Sequence, residues 1–339
     1  MNKLTKIGVS ALCGSLAAVA SAQAGALSVS GGATATYSSN EGAVTGNPIG
    51  MNTGITFTGS GELDNGSTFT LTITQADQIA YSAGSIAITT PSMGGIKING
   101  KSGGTGVDRY DDMMPTAWEE TNGTSLTTGL QTVAGVGTAM NIEWTAPADM
   151  LPEGTHFGIA VAPGSAVGAT SNDKGVGGDS GGVGSGYDVT VASTGLMDGL
   201  NVFGGMSTIE QESNSGNNDR TQYVAGATYA IGSVTLGYQF SKDNLQSSAV
   251  ASTSFYDNEA YGVSFAVNDD LTISYGQHKS ARSMTSGSNV ELTAESLQLS
   301  YSMGGMSIKF AQSQVDNASY TAGTGSDNDG RTIALSLAF

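Results

Sequence analysis

Residues 105–120 crowd five carboxylates and one guanidinium into a short stretch: Asp108, Arg109, Asp111, Asp112, Glu119 and Glu120. Paired carboxylates can move protons, hold a hard cation or set an electrostatic filter. A Ca²⁺ site at Asp108, Asp111 and Asp112 stays open as one reading, because carboxylate oxygens suit that ion. Their spacing is not that of an EF-hand. Catalysis has little else to work with. His156 and His278 are the only histidines and lie far apart in the chain. There is no H-E-x-x-H zinc motif and no G-x-S-x-G nucleophile elbow, so no catalytic residue is assigned and no cofactor is required. The Gly-rich segment 177–186 is followed by no Lys-Ser/Thr and is not a phosphate loop. It also lacks the nonapeptide period of a Ca²⁺-binding β-roll, and reads as a flexible external loop.

The rest of the composition narrows the class. Fifty of 339 residues are Gly, about twice average usage, and 12% are charged, about half of it. The formal charge is −17, which argues against a nucleic-acid partner. One cysteine, Cys13, cannot pair within the chain. Residues 1–24 have Lys3 and Lys6, then a short apolar run, then Ala22-Gln23-Ala24. This is the pattern of a cleaved secretory signal peptide, leaving 25–339 as one domain. Loss of Lys3 and Lys6 takes the charge from −17 to −19, and loss of Cys13 leaves no thiol.

After residue 24 no apolar run is long enough for a membrane helix. The recurrent signal is period 2, clearest in Thr68-Phe69-Thr70-Leu71-Thr72-Ile73-Thr74 and in Val234, Leu236, Tyr238 and Phe240. Sixteen such segments are expected at 26–38, 51–60, 67–75, 84–90, 94–101, 136–146, 156–162, 187–195, 200–208, 221–230, 233–241, 256–266, 271–279, 291–302, 306–314 and 331–339. The connections alternate, with short turns such as 61–66 and 231–232 and long loops such as 39–50, 76–83, 102–135 and 163–186. The turn at 147–155, with Pro147 and Pro152, fits neither class well. Alternating short and long connections, an even strand number and strands near the ~9–11 residues that cross a bilayer point to a transmembrane β-barrel. Sixteen strands leave an aqueous channel rather than a packed core, and the polar face of Thr, Ser, Gly, Gln and Asn suits a water-lined wall.

Three features carry a resemblance to a known family. The chain ends Ile333-Ala334-Leu335-Ser336-Leu337-Ala338-Phe339, apolar at every second position with a terminal aromatic. The longest loop, holding the acids, is the third long one. Ser-Met-Gly-Gly recurs at two short turns, Ser92–Gly95 and Ser302–Gly305, each followed by a strand with Lys on its polar face. Together these resemble the Gram-negative general porins, and their Gly-rich, Arg-poor style is similar to the alphaproteobacterial branch. The resemblance implies an all-β, sixteen-stranded antiparallel barrel in the outer membrane, with the third external loop folded into the pore. It implies passive diffusion of small hydrophilic solutes and ions, a homotrimer, and contact with outer-membrane lipid and lipopolysaccharide. Phe339, Leu337 and Leu335 would be the insertion signal read by the barrel-assembly machinery, although the family often has Tyr where Leu337 stands. Asp108, Arg109, Asp111, Asp112, Glu119 and Glu120 would edge the constriction, where acids favour cations.

Parity places Lys97, Lys101, Glu143, Asp188, His278 and Lys309 on the pore wall, with Arg220 if its strand reaches that far. Mid-strand Lys or Arg facing lipid would cost ~2–4 kcal/mol. One departure from the family is the absence of any Lys or Arg between residues 25 and 96, where many general porins place a basic cluster. Small residues Gly31, Ala33 and Ala35 on the lipid face of the first strand suit a trimer contact, and Tyr223 and Tyr229 suit two aromatic girdles. Two other functions compete. A substrate-specific channel for a sugar or metal ion would want aromatic or ligand sets, with Tyr110 and Trp118 as candidates. A secreted Gly-rich adhesin would leave the loop alternation unexplained.

Overall fold

The computed structural model describes residues 25–41, 47–77, 79–100, 103–121, 126, 128–164, 183–211, 218–247 and 249–339. The signal-peptide segment 1–24, Lys101 and residues 177–182 of the Gly-rich segment lie outside these residues; residues 183–186 of that segment, expected as external loop, are strand.

Sixteen strands follow the chain: β1 (Ala26–Glu41), β2 (Ile49–Glu62), β3 (Thr68–Ala76), β4 (Ile79–Thr90), β5 (Gly94–Gly100), β6 (Met140–Thr145), β7 (Thr155–Ala162), β8 (Val183–Ser193), β9 (Leu200–Gln211), β10 (Arg220–Ile231), β11 (Val234–Asn244), β12 (Thr253–Ala266), β13 (Leu271–Met284), β14 (Val290–Met303), β15 (Met306–Asp316) and β16 (Asn328–Ala338). Each pairs antiparallel with its sequence neighbours, and β1 pairs with β16 to close the barrel. Closure leaves no free edge, which a membrane requires because lipid cannot satisfy backbone N–H and C=O groups. The seam runs from Gly32 opposite Ala338 to Glu41 opposite Asp329, and Phe339 exchanges two further backbone hydrogen bonds with Gly31.

The period-2 pattern separates two surfaces. Phe57, Leu71, Ile73, Ile86, Tyr238, Phe240, Tyr261, Leu297, Ile333, Leu335 and Leu337 are exposed on the outside. A continuous apolar belt of this kind on a closed barrel is a lipid-facing surface. The inward set is polar and far less exposed.

The strands differ from the sequence expectation in three places. β1, β8, β9, β11, β12, β13 and β16 run several residues further toward the long-loop end. Those extensions carry Lys242, Asp243, Asn244 and Arg282, which break the apolar alternation while the backbone ladder continues regardless. The long loop expected at 76–83 is reduced to residues 77–78, because β4 starts at Ile79. Asp77 makes this turn at φ 51 and accepts a hydrogen bond from the Thr53 N–H at 2.8 Å. The segment 136–146 is strand only from Met140. Val136 and Ala139 instead pack with Ala160 and Ala162 as the end of the long loop. The turn at 147–155 is closed by a short 3₁₀ turn, Ala148–Met150.

Candidate pore constriction

The segment between β5 and β6 lies against the inner wall as an out-and-back hairpin. Its outgoing limb begins with a 3₁₀ turn, Gly106–Tyr110, and crosses successive strands by pairing its backbone with inward side chains. The Gly106 N–H donates to Glu143 Oε1 on β6 at 3.1 Å, and Val107 N–H to Asp188 Oδ2 on β8 at 2.9 Å. Tyr110 stacks on Phe203 of β9 with centroids 5.1 Å apart. Met113 N–H donates to Gln239 Oε1 on β11, whose Nε2 returns bonds to the carbonyls of Tyr110 and Asp111. Ala117 N–H donates to Ser274 Oγ on β13 at 2.8 Å. Trp118 and Glu119 N–H both donate to Gln298 Oε1 on β14 at 3.0 Å.

The hairpin then turns back. Leu126 is buried with Leu292, Val315 and Tyr320. Gln131 N–H donates to the Tyr320 hydroxyl at 2.9 Å, and Ser319 N–H to the Thr128 carbonyl at 2.7 Å. Ala134 and Gly135 N–H donate to Gln222 Oε1 on β10, and Val136 N–H reaches Asp188 again. The two limbs share an apolar base of Val107, Tyr110, Val133, Phe203 and Val224. An unpaired backbone group would be costly there, and the inward Gln, Ser and carboxylate side chains supply the partners.

Of the acids on the outgoing limb, Asp108, Asp111, Asp112 and Glu119 are half-buried and Glu120 is exposed, while Asp112 Oδ2 is buried without a hydrogen-bond partner. Burial pushes the Asp111 carboxyl up to about 6, with the nearby Glu120 charge adding to the rise. Burial also pushes Asp112 up to about 6, with a bond from the Met114 N–H pulling the other way. Asp108 and Glu119 are raised by burial, and Glu120 by burial and then by Asp112, Glu119 and Asp108. Like charges therefore face one another along this edge. Asp108, Asp111 and Asp112 each hold a loop N–H, those of Gly104, Asp112 and Met114. Among the described residues no three His, Cys, Asp or Glu side chains converge as a metal-ligand set.

The remaining sequence candidates fall into two groups. Lys97 on β5 and Lys309 on β15 are half-buried on the inner face, and Lys309 Nζ sits 5.9 Å from the Trp118 ring centroid. The others are engaged elsewhere. Arg109 is ion-paired with Glu143, which is 4% exposed. Arg220 donates from Nε and Nη2 to the two oxygens of buried Asp243, at 2.8 and 2.5 Å. Glu143 and Asp188 point inward as parity requires, but the hairpin covers them, so they meet its backbone rather than open water. Tyr110 is likewise packed away at 4% exposure, which removes it as a solute-guiding aromatic.

Sequence reasoning passed over Gln222, Gln239, Gln298, Ser274 and Tyr320, which fasten the hairpin. A signal for the covered wall was present: Phe203, Val224, Leu292 and Val315 are apolar at inward parity, where a water-lined wall should be polar.

No family model matches the chain, and no curated protein matches it by sequence. Solved structures do. The OmpF porin of Salmonella typhi, in complex with daunomycin, superposes with a TM-score of 0.71 at 14% identity, covering 92% of this chain and 97% of that one. The chain has the porin fold. An anion-selective porin from Comamonas acidovorans gives 0.65 at 13% identity, covering 93% of this chain and 100% of that one. OmpT of Vibrio cholerae in a trimer form gives 0.67 at 12%, covering 93% and 99%.

Proposed function

We propose that the chain is a non-enzymatic outer-membrane porin, a water-filled channel for small hydrophilic solutes and ions that prefers cations. The observation that carries this reading is the acid-edged hairpin hydrogen-bonded along the inner wall of a closed sixteen-stranded barrel whose outside is apolar. In this reading the hairpin narrows the lumen, and Asp108, Asp111, Asp112, Glu119 and Glu120 border the opening. Arg109 and Arg220 are neutralised by carboxylates, which leaves the loop acids to dominate the local field. A fixed acidic edge in a partly dehydrated passage lowers the energy of a cation relative to an anion.

Residues 1–24 are proposed as a cleaved signal peptide and 25–339 as the barrel domain, in a Gram-negative outer membrane among lipid and lipopolysaccharide. Leu335, Leu337 and Phe339 are exposed and outward, as an insertion signal for the barrel-assembly machinery would be. The trimer form of one structural neighbour and the flat small-residue face of β1 support a homotrimer. The Gly-rich, Arg-poor sequence supports placement beside the alphaproteobacterial branch.

The test is reconstitution in planar bilayers across a KCl gradient. Stepwise conductance with a reversal potential toward that of K⁺ is expected. Absence of conductance from heat-modifiable, folded protein would overturn the channel. An anion-directed reversal potential would overturn the cation preference alone.

A further inference from the structure

Asp188 has a role that its place on a pore wall does not suggest. It is fully buried and sits where the two limbs of the hairpin meet. Its Oδ2 accepts the Val107 N–H of the outgoing limb at 2.9 Å and the Val136 N–H of the returning limb at 3.1 Å, and Oδ1 lies 3.3 Å from the same Val136 nitrogen. Each of these N–H groups follows a glycine with positive φ, Gly106 at +56° and Gly135 at +48°. A Cβ built on either glycine would fall 2.1 Å from Asp188 Oδ2. Only a residue without a side chain lets both limbs close on the carboxylate. The arrangement is an anion nest made of two separate strands of loop, with the anion supplied by the wall.

We infer that Asp188 is the positioning residue that staples the base of the hairpin to β8, and that it governs how firmly the constriction is held rather than the charge a permeating ion meets. The inference rests on the proposed channel function. Charge-assisted bonds from backbone N–H groups to a carboxylate are about twice as strong as neutral ones. Asparagine at this position keeps the shape and can keep an oxygen on both N–H groups, but it loses the charge that strengthens the two bonds and sets an amide nitrogen near the Val136 nitrogen. Tyr110, Phe203 and Val133 continue to pack the base, so the barrel should fold while the hairpin fluctuates.

The experiment compares single-channel recordings of the full chain with those of Asp188→Asn, Gly106→Ala and Asp188→Asn carrying Met114→Cys and Gly262→Cys. A Cβ on Gly262 would lie 3.0 Å from Met114 Cβ and 2.8 Å from Pro115 Cδ, so once this part of the outgoing limb moves slightly away from β12 a disulfide can tie the two. Asp188→Asn and Gly106→Ala should both keep heat-modifiable mobility and the sign of the reversal potential. Open-channel current variance should rise several-fold in both. Oxidation of the cysteine pair should return the variance to that of the parent, and reduction should restore the noise. A quiet Asp188→Asn channel with a shifted reversal potential would show a lumen charge and overturn the staple. So would a noisy Asp188→Asn channel beside a quiet Gly106→Ala channel, or noise that oxidation leaves untouched. If Asp188→Asn fails to fold, Gly106→Ala decides: noisy supports the staple, quiet overturns it. A parent chain that does not conduct would instead overturn the channel reading.

Discussion

The inner wall of the barrel has two halves built on one strand pattern. From β6 to β14 it is covered by the hairpin. There the inward positions hold buried Glu143, Asp188, Gln222, Gln239 and Gln298, with apolar Phe203, Val224 and Leu292 between them. The half formed by β16 and β1 to β4 is bare of hairpin hydrogen bonds among the described residues, although Thr332 and Ala334 of β16 are buried. Its inward positions include hydroxyls that bond across strands, Thr34 to Ser336, Ser38 to Thr332 and Thr56 to Thr74. β1 to β4 carry no charge except Glu41 and Glu62 at their ends. Alternation therefore fixes which way a side chain points, and says nothing about whether water or protein meets it there.

The largest effects should separate the two halves from the inside. Val224→Asp buries an unpaired charge beneath the hairpin and should cost docking on the order of 3 kcal/mol or more, seen as a higher and noisier conductance. Thr72→Asp on the bare half should leave conductance steps quiet. From the outside the halves should not differ. Leu71→Arg and Leu297→Arg should each cost about 2–4 kcal/mol near the midplane in folding titrations into lipid vesicles. Unequal costs would mean that part of the belt is covered by protein rather than lipid.

Next in size is the acidic edge. Combined Asp111→Asn, Asp112→Asn, Glu119→Gln and Glu120→Gln should lower the K⁺ over Cl⁻ permeability ratio several-fold. Thr56→Lys, which adds one charge to the bare half, should lower it less. A larger effect from Thr56→Lys would move the filter to the opposite wall.

Acidification should mimic part of that change without releasing the hairpin. Asp111 and Asp112 are raised from 3.8 to about 6, so the docked loop holds more protons than the free loop between about pH 4 and 6. Docking is therefore favoured on the acid side and weakens as pH rises through 6. Cation preference should fall as pH drops from 7 to 5, centred near 6, with no added noise. Noise appearing at pH 5 would mean that these two carboxyls hold the hairpin in their charged form. The smallest effect belongs to a single wall hydroxyl. Thr56→Val removes its bond to Thr74 and should cost only about 0.2–1 kcal/mol, with conductance unchanged.

The barrel was legible in the sequence because lipid imposes a strict rule on every second residue. Thr68–Thr74 and Ile333–Phe339 state that rule openly. The rule lapses beyond the membrane, which is why the ends of β11 and β13 and the shortened link at 77–78 were misplaced. The site was legible in part. A long loop rich in acids announced itself, and parity put Lys97, Lys309, Glu143 and Asp188 on one face. What parity could not supply was the partner. Asp188 beneath two backbone N–H groups and Asp188 in open water give the same sequence, and the distinction depends on Gly106 and Gly135, which lie far from it in the chain.

The hairpin leaves the wall at β5 and rejoins it at the adjacent β6, so the ladder between these strands is intact, with Gly100 opposite Met140. An insert placed this way can lengthen, shorten or be exchanged without shifting the register of any other strand. Loop-closure cost grows by only about 0.6 kcal/mol for each doubling of length. In the proposed channel the barrel would then be a fixed frame with a replaceable aperture, whose bore and charge could change without any change to the strand register.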